Sequence, residues 1–215
     1  MSRVPTAVLV SGRGSNLKAL LAASRDPSYP AEITLAISNE PGAPAIAMAA
    51  EAGCEVALVP HRDQPSRRQF ETLLQTHILE SACQLVCLAG FMRVLSPAFV
   101  GLWAGRMLNI HPSLLPSFPG LDSHRRALEA GVRLSGCSVH FVTEALDGGP
   151  IVGQAAVPVA PDDDEASLAA RVLAAEHRLY PVCLALVAEG KVRMEEGRIA
   201  WDAVASGDTL LNPPA

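Results

Sequence analysis

The 215-residue chain sets 17 Lys and Arg against 22 Asp and Glu, for a formal net charge of −5, and is 49% hydrophobic and 18% charged. Enough apolar material for a sizeable core excludes a disordered or fibrous chain, and the acidic balance leaves no overall basic face for nucleic acid or an anionic membrane. No apolar run nears the roughly 18 residues of a membrane span, and residues 6–10 are too short for a secretory core, so the expectation is a soluble, cytoplasmic protein.

In chain order, residues 6–10, 33–38, 55–59, 85–88 and 107–110 are short apolar runs, as suits strands covered on both faces. Between them, 15–24, 44–52, 67–81 and 97–103 carry helical periodicity, with proline opening two of them. This alternation predicts an α/β fold, a Rossmann-like, doubly wound, mostly parallel sheet. After His111 the texture changes. Pro112, Pro116 and Pro119 stiffen a loop. Residues 138–142 and 151–159 read as an antiparallel pair joined around Asp147-Gly148-Gly149-Pro150. The run Asp162-Asp163-Asp164-Glu165 opens a long helix, 166 to about 189, because acidic residues in a first turn complement the helix dipole. Residues 191–195 and 198–201 close as a hairpin around Glu196-Gly197, and 212–215 form a tail. The chain reads as a single domain, 1–215.

Cys54, Cys83, Cys87, Cys137 and Cys183 are odd in number, scattered and without zinc spacing. They read as reduced core residues.

Four stretches could carry chemistry. Ser11-Gly12-Arg13-Gly14-Ser15-Asn16-Leu17 follows the first strand and opens the first helix, where exposed amides suit a phosphate. It lacks the third glycine of a dinucleotide fingerprint and the lysine of a Walker loop, and it reads equally as a plain turn with Ser15 or Asn16 capping the helix. Gly90-Phe91-Met92-Arg93-Val94-Leu95-Ser96-Pro97 follows the fourth strand, at the end where open α/β sheets bind ligands. It suits a flat ring with an anionic tail, or an ordinary loop with Arg93 snorkelling. Asn109 and His111 are two apart in the fifth strand and so point to one side. An amide beside an imidazole can clamp a developing oxyanion and exchange a proton. Asp147 is a turn aspartate, or a charge brought beside His111 that would favour its imidazolium. Glu176-His177-Arg178 by itself is a solvated helix face.

The residues quoted at 11–17, 90–97, 109–116 (Asn-Ile-His-Pro-Ser-Leu-Leu-Pro) and 140–150 (His-Phe-Val-Thr-Glu-Ala-Leu-Asp-Gly-Gly-Pro) resemble the folate-dependent formyltransferases, in particular the phosphoribosylglycinamide formyltransferase branch, in order and across essentially the whole chain. The resemblance implies a phosphate-binding half of about 1–105 and a catalytic and folate half of about 106–205. It implies a catalytic set of Asn109, His111 and Asp147, and ribonucleotide contacts at Gly14, Ser15, Asn16 and Glu176. It also implies a 10-formyltetrahydrofolate site at Arg67, Met92, Arg93, Val94, Leu95 and Asn109. The family often has a histidine where this chain has Asp122, before Ser123-His124-Arg125.

The implied reaction transfers a formyl group from 10-formyltetrahydrofolate, a cosubstrate, to the amine of glycinamide ribonucleotide in purine synthesis. No metal, nucleic acid or membrane takes part, and the protein is expected as a monomer or homodimer. Methionyl-tRNA formyltransferase carries a C-terminal RNA-binding extension and formyltetrahydrofolate hydrolase an N-terminal domain, and neither is expected here. A sugar N-formyltransferase, and a non-catalytic nucleotide sensor on the same fold, are the alternatives.

Overall fold

Aliphatic runs that must leave water on both faces build the first of two compact units, Met1–Asn109. The computed structural model describes residues 3–202, so the tail expected at 212–215 lies outside the described residues. The five expected strands are present as β1 (Val4–Val10), β2 (Ala31–Ser38), β3 (Glu55–Leu58), β4 (Leu85–Leu88) and β5 (Met107–His111). They are ordered β3-β2-β1-β4-β5 and pair in parallel. Ala7, Val8, Leu9 and Val10 have no exposed surface, as a central parallel strand requires.

The four expected helices follow as α1 (Ser15–Ser24), α2 (Pro44–Glu51), α3 (Arg67–Glu80) and α4 (Pro97–Leu102). Leu17, Leu20 and Leu21 bury one face of α1 at helical spacing. Ser66 and Ser96 cap α3 and α4, each hydroxyl accepting a main-chain N–H at 3.2 Å. The cap expected from Ser15 or Asn16 on α1 does not form. Gly14 holds that position in the left-handed region at φ 75°, and no side chain caps the helix. A short 3-10 turn, His61–Asp63, was not legible in the periodicity.

The second unit, Ile110–Ala215, contains α5 (Ser123–Glu129), β6 (Leu134–Phe141), β7 (Ile151–Pro158), α6 (Glu165–Ala188), β8 (Val192–Glu195) and β9 (Arg198–Trp201). β6 and β7 are antiparallel, with a register shift between Val139 and His140. β8 and β9 form the expected hairpin as a separate two-stranded sheet. The acidic run does start α6: Asp164 accepts from the Ser167 amide at 2.7 Å and its own amide donates to the Ser167 hydroxyl, a capping box. α5 was not foreseen. The hydrogen-bonded order of the larger sheet is β3-β2-β1-β4-β5-β6-β7, giving the mostly parallel α/β fold with its antiparallel portion. No helix among the described residues is long and apolar enough to cross a membrane.

All five cysteines are buried thiols outside any disulfide. Burial pushes the Cys54 thiol up to about 11, and those of Cys137 and Cys183 up to about 12.

The turn from β1 into α1 tolerates little change. A Cβ at Gly14 would lie 2.6 Å from the Ala45 Cβ on α2, in a backbone conformation that L side chains rarely adopt. Gly14→Ala should therefore destabilise the protein by about 1–3 kcal/mol. Nothing lies within 4 Å of a Cβ at Gly12, so Gly12→Ala should be nearly neutral. Urea midpoints of the two variants check the contrast; equal midpoints would show that α2 yields.

Candidate functional site

In the first unit, chain segments that leave the ends of β1 and β4 meet. The turn Ser11 to Asn16 and the segment Ala89, Gly90 and Met92 together line a cavity of about 240 Å³. No side chain caps α1, and its N-terminal end meets the turn, where the helix dipole favours an anion. The structure thus brings Gly14, Ser15 and Asn16 beside Met92, a juxtaposition no periodicity announces.

The rest of the β4 segment is held by α3. Arg67 donates Nη2–H to the Val94 carbonyl at 2.6 Å and Nε–H to Glu71 at 3.2 Å. Glu71, only 7% exposed, also accepts from the Ser96 amide at 2.6 Å and from the Ser96 hydroxyl. A buried carboxylate with three donors is a satisfied charge. Around it Leu95 is buried, whereas Met92 and Val94 stand 68% exposed and Arg93 is exposed too. That leaves an apolar edge open for a ligand.

Asn109 closes the first unit, half-buried within β5, and His111 ends the same strand in the second unit. Around His111 the second unit builds a buried imidazole–carboxylate contact. Its Nδ1 lies 3.4 Å from Asp147 Oδ2, with both side chains under 10% exposed. Nε2–H donates to the Phe118 carbonyl at 3.0 Å. A carbonyl on one side and a carboxylate on the other leave only the doubly protonated ring able to donate to both. Asp147 Oδ2 also accepts from the Gly120 amide at 2.8 Å, so the turn aspartate bonds across to the proline loop. Gly149 makes that turn possible, because a Cβ there would fall 1.8 Å from the Phe141 carbonyl oxygen.

The loop that supplies Phe118 and Gly120 is itself anchored. Ser138 Oγ, with no exposed surface, donates to the Ser113 carbonyl at 2.7 Å and accepts from Leu115 N–H at 3.0 Å and Gln154 Nε2–H at 2.8 Å. One donor and two lone pairs are then all engaged. Gln154 also donates to the Leu115 carbonyl, and Ser113 Oγ to that of Ser117. The Leu115–Pro116 bond is cis.

Two groups that the sequence reading treated otherwise belong to this picture. His140 Nε2 lies 3.8 Å from Asp147 Oδ1, and its Nδ1–H donates to the Phe141 carbonyl at 2.9 Å. The irregularity beside it in β6 is the kind of feature that redirects a side chain. An interior histidine next to the Asp-Gly-Gly-Pro turn was the available signal. Glu176 is 6% exposed, so the solvated-face reading of 176–178 fails there: α6 presents Arg178 to solvent and buries Glu176. Asp122 is exposed and ion-paired with Arg125 at 2.5 Å. Among the described residues, no group of three or more His, Cys, Asp and Glu side chains is placed to hold a metal ion.

Burial pushes His140 below the ordinary histidine value of 6.5, against the opposing pull of the Phe141 carbonyl and Asp147. The unfolded chain then takes up its proton first as pH falls. Stability should be full above about pH 6.5 and decline below it, with His124, lowered by burial in the same direction, adding to the slope. His140→Gln should flatten the decline. Urea midpoints between pH 7.5 and 5 on both proteins measure it, and parallel slopes would remove His140 from the acid response.

Comparison with known proteins places the chain in a family. The family model described as Formyl transferase matches residues 4–184. Phosphoribosylglycinamide formyltransferase of Escherichia coli (strain K12) is 45% identical over 90% of this chain and 91% of its own length. The trifunctional purine biosynthetic protein adenosine-3 of Gallus gallus is 47% identical over 93% of this chain, which spans only 20% of that longer protein. The crystal structure of glycinamide ribonucleotide transformylase 1 from Symbiobacterium toebii superposes with a TM-score of 0.89 at 42% identity, covering 93% of this chain and 94% of that one. By family model, identity and fold alike, the chain belongs to the formyl transferase family, in its phosphoribosylglycinamide formyltransferase branch.

Proposed function

We propose that the chain transfers the formyl group of 10-formyltetrahydrofolate to the amine of glycinamide ribonucleotide, as a step of purine biosynthesis. The observation that carries this reading is the buried His111–Asp147 pair, on a chain that belongs to the formyl transferase family. The family match running from residue 4 to 184 supports one formyltransferase domain built from both units. Five buried cysteines outside any disulfide fit a reducing, cytoplasmic setting.

In this reading the turn containing Gly14, Ser15 and Asn16 takes the ribonucleotide phosphate at the start of α1, and Glu176 contacts the ribonucleotide. Met92, Arg93, Val94 and Leu95 line the folate ring, with Arg67 and Asn109 completing that site. The neutral amine attacks the formyl carbon. A C–N bond forms, the carbonyl electrons move to oxygen, and the Asn109 amide with the His111 imidazolium stabilises the oxyanion. His111 then exchanges the neutral Phe118 carbonyl for a charged acceptor, the stronger partner. Asp147 holds the ring and its charge. Collapse breaks the bond to the folate nitrogen, which receives the proton the amine gives up, relayed by His111, Asp147 or water. No residue of this scheme requires a metal.

Asn109→Ala and His111→Ala should each lower kcat by about 10²–10³, the usual effect of losing one oxyanion group, and Asp147→Asn, which removes the carboxylate that holds His111, should lower kcat as well, with the fold retained. The assay is formyl transfer to glycinamide ribonucleotide, with methionyl-tRNA, an amino sugar nucleotide and water as competing acceptors. Wild-type levels of transfer by all three variants would overturn the catalytic assignment. Faster transfer to another acceptor would overturn the substrate.

A further inference from the structure

A chain of hydrogen bonds outside the catalytic pair joins the two motifs of the first unit. Ser11 follows β1 directly, and its amide donates to the Gly90 carbonyl at 3.2 Å. Its hydroxyl accepts from the Met92 amide at 2.8 Å and donates to Asn39 Oδ1 at 2.6 Å. Asn39 follows β2, is 1% exposed, and lies with Nδ2 3.1 Å from His61 Nδ1. The same ring nitrogen lies 3.2 Å from the Asn39 carbonyl oxygen, so His61 abuts both ends of Asn39. With its proton donated to Asn39 Oδ1, the Ser11 hydroxyl turns a lone pair to the Met92 amide.

Met92 begins the segment whose middle is gripped by Arg67 at Val94 and whose end is gripped by Glu71 at Ser96. The start is anchored by the Ser11 hydroxyl. Phe91 and Leu95 are buried on either side, but Met92 and Val94 between them are largely exposed, so packing does little to fix those two residues themselves. Their conformation depends on these three polar grips.

We infer that Ser11 is a positioning residue for the folate cosubstrate, fixing residues 92–95 in their ligand-ready conformation from the same turn that faces the ribonucleotide phosphate. The inference rests on the assignment of residues 92–95 to folate. Removing the hydroxyl frees the Met92 amide, and the segment must then be ordered when the folate binds, which weakens binding. The chemistry at the formyl carbon is untouched, so the effect falls on the folate KM more than on kcat.

The test measures binding of 5,8-dideazafolate by calorimetry and steady-state kinetics with both substrates. Ser11→Ala should weaken the analogue and raise the folate KM about ten-fold, the size of one lost hydrogen bond, with kcat and the ribonucleotide KM moving less. Ser11→Cys, nearly the same size but a weak acceptor, should shift the same way if the alanine variant folds poorly. Ser11→Thr keeps the hydroxyl and should restore most of the affinity. Equal rises in both KM values, or a threonine variant as weak as alanine, would overturn the positioning role. Val94→Asp separates the two levels of the argument. If it weakens the analogue while Ser11→Ala does not, the inference alone fails; if neither variant weakens it, the folate assignment fails with it.

Discussion

A carboxylate taken out of water must find donors, and the arrangement around His111 follows from how Asp147 finds them. One oxygen receives the Gly120 amide and faces the His111 ring, so the end of the proline loop, a strand end and a glycine turn are drawn to one point. A charge there without these donors would cost several kcal/mol. The proline loop must keep its shape for the donors to stay in place, and the saturated Ser138 hydroxyl keeps it. Glu71 repeats the logic in the first unit, where its three donors tie α3 to the segment after β4.

Polar grips of this kind set geometry where apolar packing does not. The strands after which the motifs appear are buried and rigid, and the motifs themselves are half-exposed. A rigid frame with polar-clamped ends gives a site that is ordered yet open to solvent, as transfer between two diffusing substrates requires.

Much of the frame was legible in the residues. Runs such as Leu85-Val86-Cys87-Leu88 announce buried strands because both faces must be apolar, and the boundaries of β4 and α1 match those read from periodicity. The pairing of Asn109 and His111 on one strand was also legible, since alternation needs nothing beyond local geometry. Their company was not. Asp147 reaches Gly120 from 27 residues away, and Ser138 reaches Ser113 from 25. A hydroxyl or amide that acts at such range leaves no period in the sequence. Local rules also misled where tertiary structure overrode them: Gly14 displaced the expected side-chain cap of α1, and α5 is too short for its periodicity to stand out after three prolines.

The buried cysteines carry a consequence of another kind. A thiol held near 11 or 12 is almost wholly protonated at neutral pH, and only the thiolate attacks an alkylating reagent. Each sulfur stays silent until the structure over it opens. Cys54, Cys83 and Cys87 lie in one unit and Cys137 and Cys183 in the other, so the order in which they are modified under mild denaturant records which unit opens first. The chain carries, without any label, its own chronometer of local unfolding.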